Sequence, residues 1–250
     1  MKRGIYILPN LLTISGMFCG FYSIIASING HFLTAALIII AAGIFDVLDG
    51  KIARLTHTTS HFGIELDSLS DILSFGIAPS LLIYLSMLKP FGKIGWMAAF
   101  LFVACCAMRL ARFNVITKNS SIKCFVGLPT PAAAGVILSY IVFSHSEYSS
   151  FLSPLINNPA LIAAIVYLLS ILMVSNFKYH GLKELDLKNR KPFSVLITIV
   201  FLGFTIISYY KFSLLIIGLL YMISGPCEYI VTLLRNKQPH PIEAKIEIQQ

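Results

Sequence analysis

Four aspartates carry the chemistry this chain can do: Asp46, Asp49, Asp67 and Asp71, in a protein of 250 residues with only 11 acidic side chains. Asp46, Asp49 and Ala53 follow the i, i+3, i+7 spacing that puts side chains on one face of a helix. Asp67 and Asp71 are four apart and share a face in the same way. The stretch 50–66 is long enough to turn the chain and bring the two faces together. Converging carboxylates repel strongly where the dielectric is low. A divalent cation, or a pair of them, removes that repulsion. All-oxygen ligands select hard ions such as Mg²⁺ or Mn²⁺, which keep coordination positions open for substrate phosphates. Both flanking segments are apolar, and ionisable residues at membrane depth mark functional sites.

The residues around the aspartates read in two ways. Gly50, Ala53 and Gly63 let a bulky ligand approach the helix backbone, or let two helices pack closely. Arg54 lies one turn beyond Gly50, where it can grip a phosphate or reach the lipid headgroups. His57 and His61 have no Cys or His at zinc spacing and read as solvated loop residues. Glu228, in the last apolar stretch, is given no role.

The elements that must position these residues are membrane helices. The chain is 57% hydrophobic and 12% charged, with a mean hydropathy of +0.82; soluble domains carry about 25% charged residues. The net charge of +8 falls in loops between apolar runs, which argues against nucleic acid as a partner. The five cysteines (Cys19, Cys105, Cys106, Cys124, Cys227) form no CxxC pair and sit mostly in apolar runs, as small hydrophobes do. The first apolar run lacks a convincing cleavage site, so it is expected to be a retained span rather than a signal peptide.

Runs able to cross roughly 30 Å of hydrocarbon cover 8–28, 33–53, 68–88, 95–114, 130–146, 158–177, 193–209 and 212–234, the fifth and seventh being short. They predict an all-α polytopic bundle of about eight transmembrane helices, one domain over 1–235, with a polar tail at 236–250. A cytoplasmic N-terminus then leaves every basic residue except Lys89, Lys93 and Lys211 on the cytoplasmic side. Both termini and the aspartates fall on that same side.

The stretch Asp46-x2-Asp49-Gly50-x2-Ala53-Arg54-x8-Gly63-x3-Asp67-x3-Asp71 resembles the signature of the CDP-alcohol phosphotransferases at every fixed position. Leu8–Thr13, Arg109–Asn114 and Gly127–Gly135 are further similar to the family's phosphatidylserine synthase branch, so the resemblance covers roughly residues 5 to 140. It implies a six-helix core with extra C-terminal helices. The implied reaction is attack of an alcohol, here the hydroxyl of L-serine, on the β-phosphorus of CDP-diacylglycerol, with release of CMP. On this reading Asp46, Asp49 and Asp67 hold two Mg²⁺ or Mn²⁺ ions, while Asp71 contributes to the second and acts as general base. Gly50, Arg54, Ser60 and Gly63 line the CDP-lipid pocket, closed from the first helix by Pro9, Asn10 and Thr13. Relatives of this kind are homodimers embedded in membrane lipid, and the same is expected here.

Serine brings a carboxylate that needs a cation. Arg109 and Arg112 are the candidates for it, or for a phosphate, since a guanidinium binds either in bidentate fashion; both also fit as positive-inside anchors. Within the family, glycerol 3-phosphate or inositol are alternative acceptors, and an archaeal ether lipid an alternative donor. From another class, a cation transporter needs polar residues continuing to the far membrane face, and the acidic residues here stop at one face.

Overall fold

Helix α1 (Ile7–Ile28) is built inside out. Its inward face carries Pro9, Thr13, Gly16, Gly20, Ser23 and Ser27, whereas Leu8, Leu11, Ile14, Phe18, Phe21 and Ile25 point outward. Large apolar groups on the outside and small ones at helix contacts are what a bilayer favours, because lipid solvates Leu and close packing supplies the helix–helix attraction. The computed structural model describes residues 7–56, 60–119, 127–146, 158–177, 179 and 210–236. All of its regular structure is helical.

α2 (Phe32–Leu55) packs along α1, and α3 (His61–Asp71) closes the trio. Ser60 caps α3, its hydroxyl accepting from the Gly63 N–H at 3.0 Å. The helix therefore starts at His61 rather than at residue 68, since hydropathy marks only the immersed part of a helix that extends beyond it.

Beyond Asp71 the helix is irregular. A π-helical turn (Ile72–Ile77) leads into α4 (Ala78–Ile83), then into a second π segment (Tyr84–Leu88) and a 3₁₀ turn (Lys89–Phe91). The Ala78 and Lys89 N–H groups reach five residues back, to the carbonyls of Leu73 and Tyr84. Each stands immediately before a proline, Pro79 or Pro90, which has no N–H to continue the ladder. Gly92, at φ +56°, reverses the chain into α5 (Gly92–Asn119), which packs back on both π segments.

α6 (Thr130–Ser144) is the central helix, buried continuously from Val136 to Phe143 and touching α2 and α4. α7 (Pro159–Val174) lies on α5, and α8 (Tyr210–Asn236) runs along α6. Ile7–Ile28, Phe32–Leu55, His61–Val115 and Lys211–Tyr229 are long and apolar enough to cross a membrane, with α6 and α7 as shorter apolar helices. These are the helices of an integral membrane protein. The run at 193–209 lies outside the described residues, as do the tail beyond Asn236 and His57 and Cys124.

α1 packs closely on α3 and on the π turn that follows it. Ser70 and Ser74 donate to the Thr13 and Gly16 carbonyls, both at 3.2 Å. A Cβ on Gly20 would lie 2.5 Å from the Ser74 hydroxyl and 2.9 Å from its Cα. Gly20→Val is expected to cost about 1–3 kcal/mol by overpacking, read as a lowered melting temperature in detergent, whereas Gly30→Ala, where no atom lies within 4 Å, meets only the strain of its φ of +79°.

Candidate metal centre and substrate cleft

Asp46 and Asp49 come from the last turns of α2, Asp67 and Asp71 from the last turns of α3. The two faces do converge. One carboxylate oxygen each from Asp46, Asp49 and Asp67 lie within 4.8 Å of one another, a spacing that can hold a metal ion. Asp71, one turn below Asp67, joins the other three around a narrow space of about 10 Å³ floored by Ser70, Ser74 and Phe75. The donor set is all oxygen and negatively charged, which fits a hard divalent cation and no soft one.

Thr13 positions one of these carboxylates. Its hydroxyl donates to Asp49 Oδ2 at 2.6 Å, and the Pro9 carbonyl lies 3.1 Å from the Thr13 Oγ1. Hydrogen bonds of this kind orient ligating carboxylates, and their loss typically lowers metal affinity by 10–100-fold. Thr13→Val is therefore expected to raise the divalent-cation concentration needed for half-maximal activity by about that factor. A metal titration at saturating substrate measures it.

Beside the aspartates opens a cleft of about 240 Å³. Pro9, Asn10, Thr13, Gly50, Arg54, Ser60 and Gly63 all line it, together with Asp49 and Asp67. The seven positions expected to bind the CDP-lipid thus come together from three elements. Arg54 lies back along its own helix, Nε donating to the Gly50 carbonyl at 2.8 Å. Gly63 leaves room for Asn10, whose Oδ1 sits 3.4 Å from where a Cβ would be. His61 opens α3 as an exposed residue.

The two candidate arginines part. Arg112 is exposed and donates to Asn176 Oδ1 at 2.8 Å and toward the Val174 carbonyl at 3.4 Å, so it ties α5 to the end of α7. Arg109 is only 9% exposed and lies within electrostatic reach of Asp71. Its Nη1 is 3.5 Å from the Thr130 hydroxyl, and among the described residues its Nε has no hydrogen-bond partner. Sequence reading missed Ser70 and Ser74, which fix the depth of α3 and its following π turn against α1, and Thr130 beside Arg109. Ser70 follows Asp67 by three residues, a helical spacing that could have placed it on the aspartate face.

Residues 6–174 match the CDP-alcohol phosphatidyltransferase family, and the chain belongs to that family. It is 37% identical over 231 residues to the CDP-diacylglycerol–serine O-phosphatidyltransferase of Helicobacter pylori strain 26695, covering 92% of this chain and 94% of that protein. It is 39% identical over 175 residues to the archaetidylserine synthase of Methanothermobacter thermautotrophicus, 69% of each. The CDP-diacylglycerol–serine O-phosphatidyltransferase of Methanocaldococcus jannaschii is 33% identical over 208 residues, 83% of this chain and 90% of that protein.

Proposed function

We propose that this protein is a phosphatidylserine synthase, transferring the phosphatidyl group of CDP-diacylglycerol to the hydroxyl of L-serine and releasing CMP. Family membership and relatives named for serine transfer support the reaction and its acceptor. The observation that carries the site is the juxtaposition of a four-carboxylate cage with a cleft opening along α1 and α2.

Asp46, Asp49 and Asp67 hold the divalent metal, Mg²⁺ or Mn²⁺, with Asp71 contributing where a second ion binds. When bound, the metal offsets the charge of the pyrophosphate and stabilises the departing phosphate of CMP. The glycines at 50 and 63 and the residues Pro9, Asn10, Thr13, Arg54 and Ser60 seat the CDP moiety. Asp71 accepts the proton of the serine hydroxyl as its oxygen bonds to the β-phosphorus and the bond from that phosphorus to CMP breaks. A carboxylate suits this role through position rather than basicity. Arg109 is the cation for the serine carboxylate.

The chain forms one transmembrane domain over 1–235 with eight spans, followed by a polar tail. Its aspartates and both termini face the cytoplasm, the domain sits in the cell membrane, and it works as a homodimer. The acceptor assignment is tested with purified protein, CDP-diacylglycerol and Mn²⁺, comparing CMP release with serine, glycerol 3-phosphate, inositol and no alcohol. Serine is expected to stimulate release well above every other condition. Release no faster with serine than with water removes serine as the acceptor.

A further inference from the structure

The family match ends at residue 174, yet α8, which begins at Tyr210, runs back to the neighbourhood of Arg109. Its register against α6 is antiparallel. Phe212 packs on Phe143 with ring centres 5.8 Å apart, and Gly218 sits where a Cβ would lie 3.3 Å from Val136. Continuing that register brings Tyr221 toward the N-terminal turn of α6, where Thr130 and Arg109 meet. Tyr221 is close enough to Arg109 for the two to interact electrostatically.

α8 is locked in place at this point. Pro226 has no N–H for the Met222 carbonyl one turn earlier, and the Tyr179 hydroxyl donates to that carbonyl instead, at 3.2 Å. Tyr179 is 4% exposed, and its ring fills the space a side chain on Gly225 would take. The same ring packs on Tyr221 at 5.6 Å. A proline that frees a carbonyl, a glycine that admits a ring and a tyrosine that uses both thus fix one face of α8. That face presents Tyr221 toward a buried guanidinium whose Nε has no partner among the described residues. A buried donor without a partner is costly, so a ligand acceptor is the natural complement to it.

We propose that Tyr221 completes, with Arg109, the pocket for the carboxylate of the amino-acid acceptor, so that α8 is a specificity element of the enzyme. The inference rests on the serine assignment made above and extends it to a helix outside the family match. Tyr221 adds a neutral donor beside the arginine, and Tyr179 acts as a positioning residue behind it.

The test is steady-state kinetics of wild type and Tyr221→Phe with CDP-diacylglycerol and L-serine in matched detergent and Mn²⁺. The ring is retained, so the contact with Tyr179 is kept. Loss of a hydrogen bond to a charged group predicts about a tenfold rise in the KM for serine. The kcat at saturating serine and the KM for CDP-diacylglycerol are expected to stay within about twofold, as for loss of uniform binding. An unchanged KM for serine overturns the proposal, and so does a fall in kcat together with a rise in both KM values, which is the mark of a general loosening. If wild type itself ignores serine, the acceptor assignment fails, and that result is distinct from a wild type that uses serine with an indifferent Tyr221→Phe.

Discussion

Asp71→Asn is expected to lower serine-dependent CMP release by about 10³-fold, within the 10²–10⁴ that a general base contributes. The variant is expected to fold, because the substitution removes one charge from a group of mostly like charges and keeps the side chain's shape. Asp71 lies one helical turn beyond Asp67 and outside the tight trio of carboxylates, at the inner end of the cluster and toward Arg109. Its amide replacement keeps the shape and can still donate an oxygen to a cation, but it cannot take a proton. Raising Mn²⁺ tenfold is therefore expected to leave the variant inactive. Full turnover in Asp71→Asn removes it as the base.

Asp67→Asn behaves differently. Asp67 offers its oxygen to the trio with Asp46 and Asp49 and also lines the neighbouring cleft. Its loss is expected to raise the metal concentration for half-maximal activity by about 100-fold, at or above the upper end of what outer partners such as Thr13 contribute. Activity returns in part as Mn²⁺ is raised. The stability readout has a definite sign. Metal at 100 times its dissociation constant stabilises wild type by about 2.7 kcal/mol, so its melting temperature rises with Mn²⁺ and falls again with chelator. Asp67→Asn shows little of that rise, while in chelator it is at least as stable as wild type because one repulsive charge is gone. Equal metal-dependent stabilisation of both proteins contradicts the assigned cage.

Much of this site was readable in the chain because its spacing is local. Asp46 with Asp49, and Asp67 with Asp71, are fixed on their faces by helical geometry alone, and the intervening turn needed only enough length. The seven positions expected to bind the CDP-lipid were named through a resemblance, and the fold brings all seven to one cleft. What the sequence concealed is long-range or irregular. Hydropathy placed the third helix from residue 68 and overlooked its capped, polar first turns from His61. It also cannot register a π turn, whose cause is a single proline one residue ahead. Arg109 and Arg112 are equivalent in sequence, and only packing separates the buried one beside Thr130 from the exposed one bound to Asn176. Tyr179 and Tyr221 are more than 40 residues apart and carry no motif; a carbonyl freed by Pro226 links them.

The most direct test of the account follows the atoms. Purified protein is supplied with CDP-diacylglycerol, Mn²⁺ and L-serine labelled with ¹⁸O in its hydroxyl, and both products are analysed by mass spectrometry. The account predicts one CMP for each phosphatidylserine formed, with ¹⁸O retained in the phosphodiester of the lipid and absent from CMP, and no reaction once the metal is chelated. CMP accompanied by phosphatidic acid instead of the serine lipid, or phosphatidylserine formed at an undiminished rate under chelation, would contradict it.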